Sequence, residues 1–93
     1  MGIVDVEGAR HTLALTGELD LETAQVLEGA VLHAYDAGAR HVALDCSGLD
    51  FIDSTGLAAI GRLRRDGIQL SVIHESDIVR RLFELTGVPR VVA

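Results

Sequence analysis

Apolar and polar residues alternate at the start of the chain and then settle into longer, helical spacing. Ile3-Val4-Asp5-Val6 is strand-like, and Glu7-Gly8 reads as a turn. His11 to Thr16 alternates again, with Leu13 and Leu15 on one face, so these two segments predict a hairpin. Gly17-Glu18-Leu19-Asp20 connects into a helix. Ala24, Leu27, Val31 and Ala34 recur at helical spacing, which predicts a helix over 21–37 that Gly38 is placed to stop.

The second half repeats the theme. His41 to Cys46 is a short strand, apolar on both faces at Val42, Ala43 and Leu44, as a strand inside a sheet requires. Ser47-Gly48-Leu49-Asp50 reads as a loop. A second helix is expected from near Asp53 to just before Gly67, and a strand from Ile68 to Ile73. A third helix over 76–86 carries Ile78, Val79, Leu82, Phe83 and Leu85 on its inner side; Gly87 closes it, and Val91-Val92 supplies a last short strand.

The predicted order is β-β-α-β-α-β-α-β, in a single domain over 1–93. Strands separated by helices favour parallel pairing through right-handed crossovers, whereas the first strand, joined by a tight turn, runs antiparallel to its neighbour. The fold class is therefore α/β: a mixed, mainly parallel sheet with helices packed against it.

Composition narrows the functions open to such a fold. Hydrophobic residues make up 48% and aromatics only 3%, so the core is built from Val, Leu, Ile and Ala. The formal charge is −6, and all 8 basic residues are Arg. An acidic chain of this size repels phosphate backbones, and Arg62, Arg64 and Arg65 read as the solvated end of a helix, so nucleic acid is not an expected partner. The single Cys46 forms no internal disulfide and alternates with Val42 and Leu44, which marks a buried thiol. No segment resembles a signal peptide, and no apolar run approaches the roughly 20 residues that span a bilayer. The expected setting is cytoplasmic, without membrane insertion.

The informative stretch is Phe51-Ile52-Asp53-Ser54-Thr55-Gly56-Leu57, where a strand hands over to a helix. Sites in α/β sheets collect at such strand ends. Asp53, Ser54 and Thr55 are all helix-capping residue types, and Gly56 allows close approach of the backbone or of a partner. A cap alone would explain the triplet; the apolar Phe51 and Ile52 before it, and the small Gly56, Ala58 and Ala59 after it, make it a polar island on a surface suited to docking. Enzymatic readings fail in turn. A nucleophile elbow needs glycine where Ile52 stands, and no His-Asp partners can be assigned to it. An aspartic protease half-site lacks the intervening residue found here, and a phosphate-cradling loop needs a lysine, of which the chain has none. His11, His33, His41 and His74 show no ligand spacing, so neither a metal nor a cofactor is implied.

Taken together, the motifs resemble the STAS domain family, the bacterial anti-sigma factor antagonists. The matching pieces are Gly17-Glu18-Leu19-Asp20, Val42-Ala43-Leu44-Asp45, Leu49-Asp50 with the Phe51–Leu57 stretch, and 79–88 (Val79-Arg80-Arg81-Leu82-Phe83-Glu84-Leu85-Thr86-Gly87-Val88). They cover nearly the whole chain in the right order. The second helix is about one turn shorter than is usual in the family, and His74-Glu75-Ser76 replaces the familiar Asn-Pro-Ser.

The resemblance implies a partner-switching cycle and no catalysis. The unmodified domain binds an anti-sigma factor and so frees the sigma factor. That anti-sigma factor is an ATP-dependent serine kinase, which phosphorylates the serine after the motif aspartate, here Ser54, and a serine phosphatase restores binding. The implied partner-binding residues are Asp20, Asp53, Ser54, Thr55, Gly56 and Leu57, with Asp20 close to the phosphoacceptor. Two other classes stand beside this one. A STAS-like domain can serve as a non-switching scaffold or accessory subunit of a transporter or signalling complex. An enzyme acting on nucleotide or phosphate through Asp20, Asp53 and Ser54 is the third.

Overall fold

The hairpin expected at the start of the chain forms from β1 (Gly2–Glu7) and β2 (Arg10–Leu19), paired antiparallel across the Gly8 turn. The computed structural model describes residues 1–86, and the expected closing Gly87 and last strand at Val91-Val92 lie outside the described residues. After the hairpin come α1 (Leu21–Asp36), β3 (His41–Ile52), α2 (Ser54–Arg65), β4 (Gln69–Ile73) and α3 (Asp77–Thr86). Among the described residues the strands form a 4-stranded sheet in the order β1-β2-β3-β4. The β2/β3 and β3/β4 pairs are parallel, as helix-linked strands should be. Both crossovers step the same way along the sheet, so right-handed connections put α1 and α2 on one face, where they pack against each other.

β1 is exposed along its length, and one row of side chains from each of β2, β3 and β4 fills the space beneath those helices. Leu13 and Leu15 of β2, Val42, Leu44 and Cys46 of β3, and Leu70 and Val72 of β4 are buried there with Leu27 and Val31 of α1 and Ile60 and Leu63 of α2. The core is aliphatic, as the scarcity of aromatics requires. Cys46 is buried, and burial pushes its thiol up to about 12, so it behaves as a small hydrophobe. Among the described residues no helix is long and apolar enough to cross a membrane.

Two expectations need correction. Ser47-Gly48-Leu49-Asp50 is strand and not loop, and β2 runs on past Thr16 to Leu19 to pair with it. Thr16 faces Gly48, Gly17 faces Leu49, Glu18 faces Phe51 and Leu19 faces Ile52, with register shifts between Ala14 and Thr16 and again between Gly17 and Glu18. The turn-like composition serves these irregularities. Gly17 sits at φ +73, and a Cβ on Gly48 would come 3.1 Å from both the Leu15 carbonyl oxygen and the Thr16 methyl. The second correction concerns α3, where among the described side chains Val79 and Phe83 are buried and Leu82 is partly covered. Ile78 and Leu85 are 60% and 76% exposed. They lie on the flank of an apolar arc wider than the surface that β3 offers to the helix.

Candidate functional site

The irregular extension of β2 and β3 builds the site. Leu19 and Ile52 end their strands side by side, both buried, and the Asp53 N–H donates to the Leu19 carbonyl at 3.1 Å. Asp20 and Asp53 therefore leave adjacent parallel strands at the same level, and each opens a helix. The first four N–H groups of a helix lack partners within it, and both side chains supply one. The spacing of two segments more than thirty residues apart in sequence is fixed by this register.

Asp20 caps α1 in a reciprocal box with Thr23. Its Oδ1 accepts the Thr23 N–H at 3.1 Å, while the Thr23 hydroxyl accepts the Asp20 N–H at 2.8 Å and donates to the Glu18 carbonyl at 2.8 Å. The Thr23 N–H, reinforced by the Thr23 side chain, holds the Asp20 carboxyl below the usual carboxylate range; the charge of nearby Asp53 pulls the other way. Asp53 caps α2: its Oδ1 accepts the Gly56 N–H at 3.0 Å and the Thr55 hydroxyl at 2.5 Å. The Thr55 hydroxyl, then the Gly56 N–H, lowers its carboxyl in turn. Of the three capping types in the triplet, the aspartate is the cap.

The two hydroxyls beside Asp53 are consequently unlike. Thr55 is half-buried, and its hydroxyl donates a hydrogen bond to the carboxylate. Ser54, the first residue of α2, is exposed, and its hydroxyl makes no hydrogen bond among the described residues. Gly56 and Leu57 turn inward. Leu57 is 4% exposed, and a Cβ on Gly56 would lie 2.7 Å from the Leu19 carbonyl oxygen, 2.9 Å from Leu19 Cγ and 3.0 Å from Ile52 Cγ1. These two residues seat the helix on the strand ends, so Asp20, Asp53, Ser54 and Thr55 are the members of the motif that reach the surface.

Beside Ser54 a shallow cleft of about 480 Å³ runs between α1 and α2, with Leu21, Ala24 and Ala58 on its walls. Its far end is bounded by an ion pair between Arg62 and Glu28. Leu21 and Phe51, which precede or border the two capping aspartates in sequence, are 62% and 45% exposed. Sequence reading did not single out Leu21 or Thr23; the available signal was their position beside Asp20, a capping residue. The Arg62–Glu28 pair joins two helices and leaves no periodic trace.

The arrangement offers a hydroxyl, two ionised carboxylates and an apolar border. Cys46 is buried away from it, and the His41 ring pairs with Ser71 at 2.9 Å on the sheet. Among the described residues no group of three or more His, Cys, Asp or Glu could hold a metal ion.

Comparison with known proteins places these features in a lineage. A family model described as "Mlab, STAS domain" matches residues 4–93. The anti-sigma-B factor antagonist of Staphylococcus aureus is 32% identical over 81 residues, covering 83% of this chain and 75% of that protein. Among solved structures, an anti-sigma factor antagonist from Mycobacterium paratuberculosis superposes with a TM-score of 0.76 at 25% identity, over 91% of this chain and 74% of that one. The Bacillus cell fate determinant SpoIIAA in its phosphorylated form shares the fold, with a TM-score of 0.67 at 21% identity over 92% of this chain and 82% of that one.

Proposed function

This chain belongs to the STAS domain family, and on that premise we propose that it is an anti-sigma factor antagonist whose hold on its partner is ended by phosphorylation of Ser54. The partner is an anti-sigma factor that is also an ATP-dependent serine kinase, a serine phosphatase reverses the mark, and the cycle runs in the cytoplasm. The domain is substrate and ligand in this scheme, not enzyme. The reading is supported by the relative in Staphylococcus aureus, which is named an anti-sigma-B factor antagonist.

The observation that carries the reading is the contrast between neighbouring hydroxyls. Ser54 is exposed and unbonded among the described residues, whereas Thr55 is committed to Asp53. A kinase meeting this surface finds one hydroxyl ready to accept a phosphoryl group. The phosphate adds about −1.5 to −2 charges and three acceptor oxygens at a helix start, which the helix dipole tolerates. The interface does not tolerate it. Asp20 and Asp53 already make this surface negative, and enclosing a phosphate against a partner adds desolvation to repulsion. A loss of about 3 kcal/mol weakens binding more than a hundredfold.

The test is a mass-spectrometric phosphosite map after mixing the protein, ATP and magnesium with purified serine kinases of the anti-sigma type from the same genome. Calorimetry of the kinase that modifies it follows. Ser54→Ala should bind as tightly as the unmodified protein, and Ser54→Asp should lose at least about a hundredfold in affinity. Undiminished binding of Ser54→Asp would instead favour a permanent scaffold.

A further inference from the structure

Adjacent Ser and Thr hydroxyls at a helix start compete for the same acceptors. Asp53 Oδ1, on the residue next to Ser54, accepts the Gly56 N–H at 3.0 Å and the Thr55 hydroxyl at 2.5 Å. A carboxylate pinned by two donors on one oxygen has a fixed rotamer. The Asp53 backbone is pinned as well, through its N–H to the Leu19 carbonyl at 3.1 Å. With only one of those donors, the carboxylate regains freedom to turn and accept a hydrogen bond from the Ser54 hydroxyl, drawing that oxygen back onto the helix.

We propose that Thr55 is a positioning residue, which holds the Asp53 carboxylate in its capping pose and so keeps the Ser54 hydroxyl free and outward for phosphoryl transfer. The inference rests on the reading of Ser54 as the phosphoacceptor and deepens it. It assigns the second hydroxyl of the motif a task distinct from accepting phosphate. It also explains why the modification goes to one of two neighbouring hydroxyls: the Thr55 proton is engaged, and its side chain is half-buried. Depression of the Asp53 carboxyl by the Thr55 hydroxyl agrees with this geometry.

The experiment compares Thr55→Val, which keeps the shape and removes the hydroxyl, with Thr55→Ser, which keeps the hydroxyl; Thr55→Ala substitutes for the valine variant if that one does not fold. The Asp53 side-chain carboxyl is titrated by carbon NMR in the free proteins. Phosphorylation kinetics use ATP, magnesium and the serine kinase found by phosphosite mapping. In Thr55→Val the Asp53 titration should move up towards the ordinary value. The kcat/KM for transfer to Ser54 should fall by about tenfold or more, chiefly in kcat, approaching the roughly hundredfold cost of a 1 Å misplacement at a reacting centre. Thr55→Ser should restore both, with the phosphate on Ser54 alone. Wild-type kinetics in Thr55→Val, or failure of Thr55→Ser to restore them, overturns the positioning role and leaves Ser54 as acceptor. Absence of phosphate on Ser54 in the wild-type protein removes the underlying reading and this inference with it.

Discussion

Gly56 provides the sharpest stability test of how the site is built. Adding a methyl group there places a carbon 2.7 Å from the Leu19 carbonyl oxygen, 2.9 Å from Leu19 Cγ and 3.0 Å from Ile52 Cγ1. The first contact is with backbone that the β2/β3 ladder holds, so it cannot rotate away. The start of α2 must therefore lift from the strand ends, an overpacking strain of about 1–3 kcal/mol. Alanine also gains up to about 1 kcal/mol of helix propensity over glycine, less in a first turn, so the net loss is about 1–2 kcal/mol. Gly29, in the middle of α1, is the control: it is exposed and a Cβ there meets nothing within 4 Å. Gly29→Ala should stabilise by about 0.5–1 kcal/mol. Urea unfolding followed by circular dichroism measures both variants, and opposite shifts of the midpoint at unchanged slope are expected. If Gly56→Ala proves as stable as Gly29→Ala, the close seating of α2 on Leu19 and Ile52 is wrong, and with it the placement of Ser54.

Two further outcomes check the core and the sheet. Phe83→Ala should cost about 3–5 kcal/mol in the same unfolding assay, because Phe83 is 1% exposed. Leu85→Ala, at 76% exposure, should change stability by less than about 0.5 kcal/mol, and equal losses would refute the buried stripe assigned to α3. His41 supplies a pH dependence. Burial, then the charge of Arg10, holds its imidazole below the ordinary 6.5. The unfolded chain then takes up the proton first, so stability is full above pH 6.5 and falls as pH drops from there through the folded value. A His41→Gln variant should show a flatter profile over that window in pH-dependent thermal unfolding, and an unchanged slope would count against the assignment.

Much of this architecture was legible from periodicity, because α1, α2 and β2 each bury one clear row and β3 is apolar on both faces. Val42, Leu44 and Cys46 announce β3 by alternation, and Ala24, Leu27, Val31 and Ala34 announce α1 by helical spacing. Ser47 to Asp50 defeated that reasoning because its residue types are those of turns. Only pairing with Thr16 to Leu19 keeps it extended, and a partner thirty residues away is invisible to a local pattern. The apolar arc of α3 failed differently: Ile78 and Leu85 have the right character, but the helix meets the sheet over a narrower face. At the site, the sequence pointed to Asp53 and Ser54 through capping chemistry. It could not say which residue caps, because Asp, Ser and Thr compete for that role and the outcome is decided by rotamers. The adjacency of Asp20 depended on the Leu19–Ile52 pairing.

That pairing also means that the proposed switch would need no change of fold. Both helix N-termini at this end carry their own carboxylate, Asp20 on α1 and Asp53 on α2, each bonded to an N–H of the first turn. The positive ends of the two dipoles are thus largely answered before any modification. A phosphate on exposed Ser54 would gain little from the helix and displace no internal partner, since the hydroxyl has none among the described residues. Its free energy is therefore not drawn into the domain, and remains almost wholly available at whatever surface is pressed against it. A hydroxyl that served as the cap would behave in the opposite way: charging it would rearrange the first turn, and part of the effect would be absorbed within the protein. Giving the cap to Asp53 and the exposed position to Ser54 would, under the proposed switch, keep folding and regulation on separate, consecutive residues.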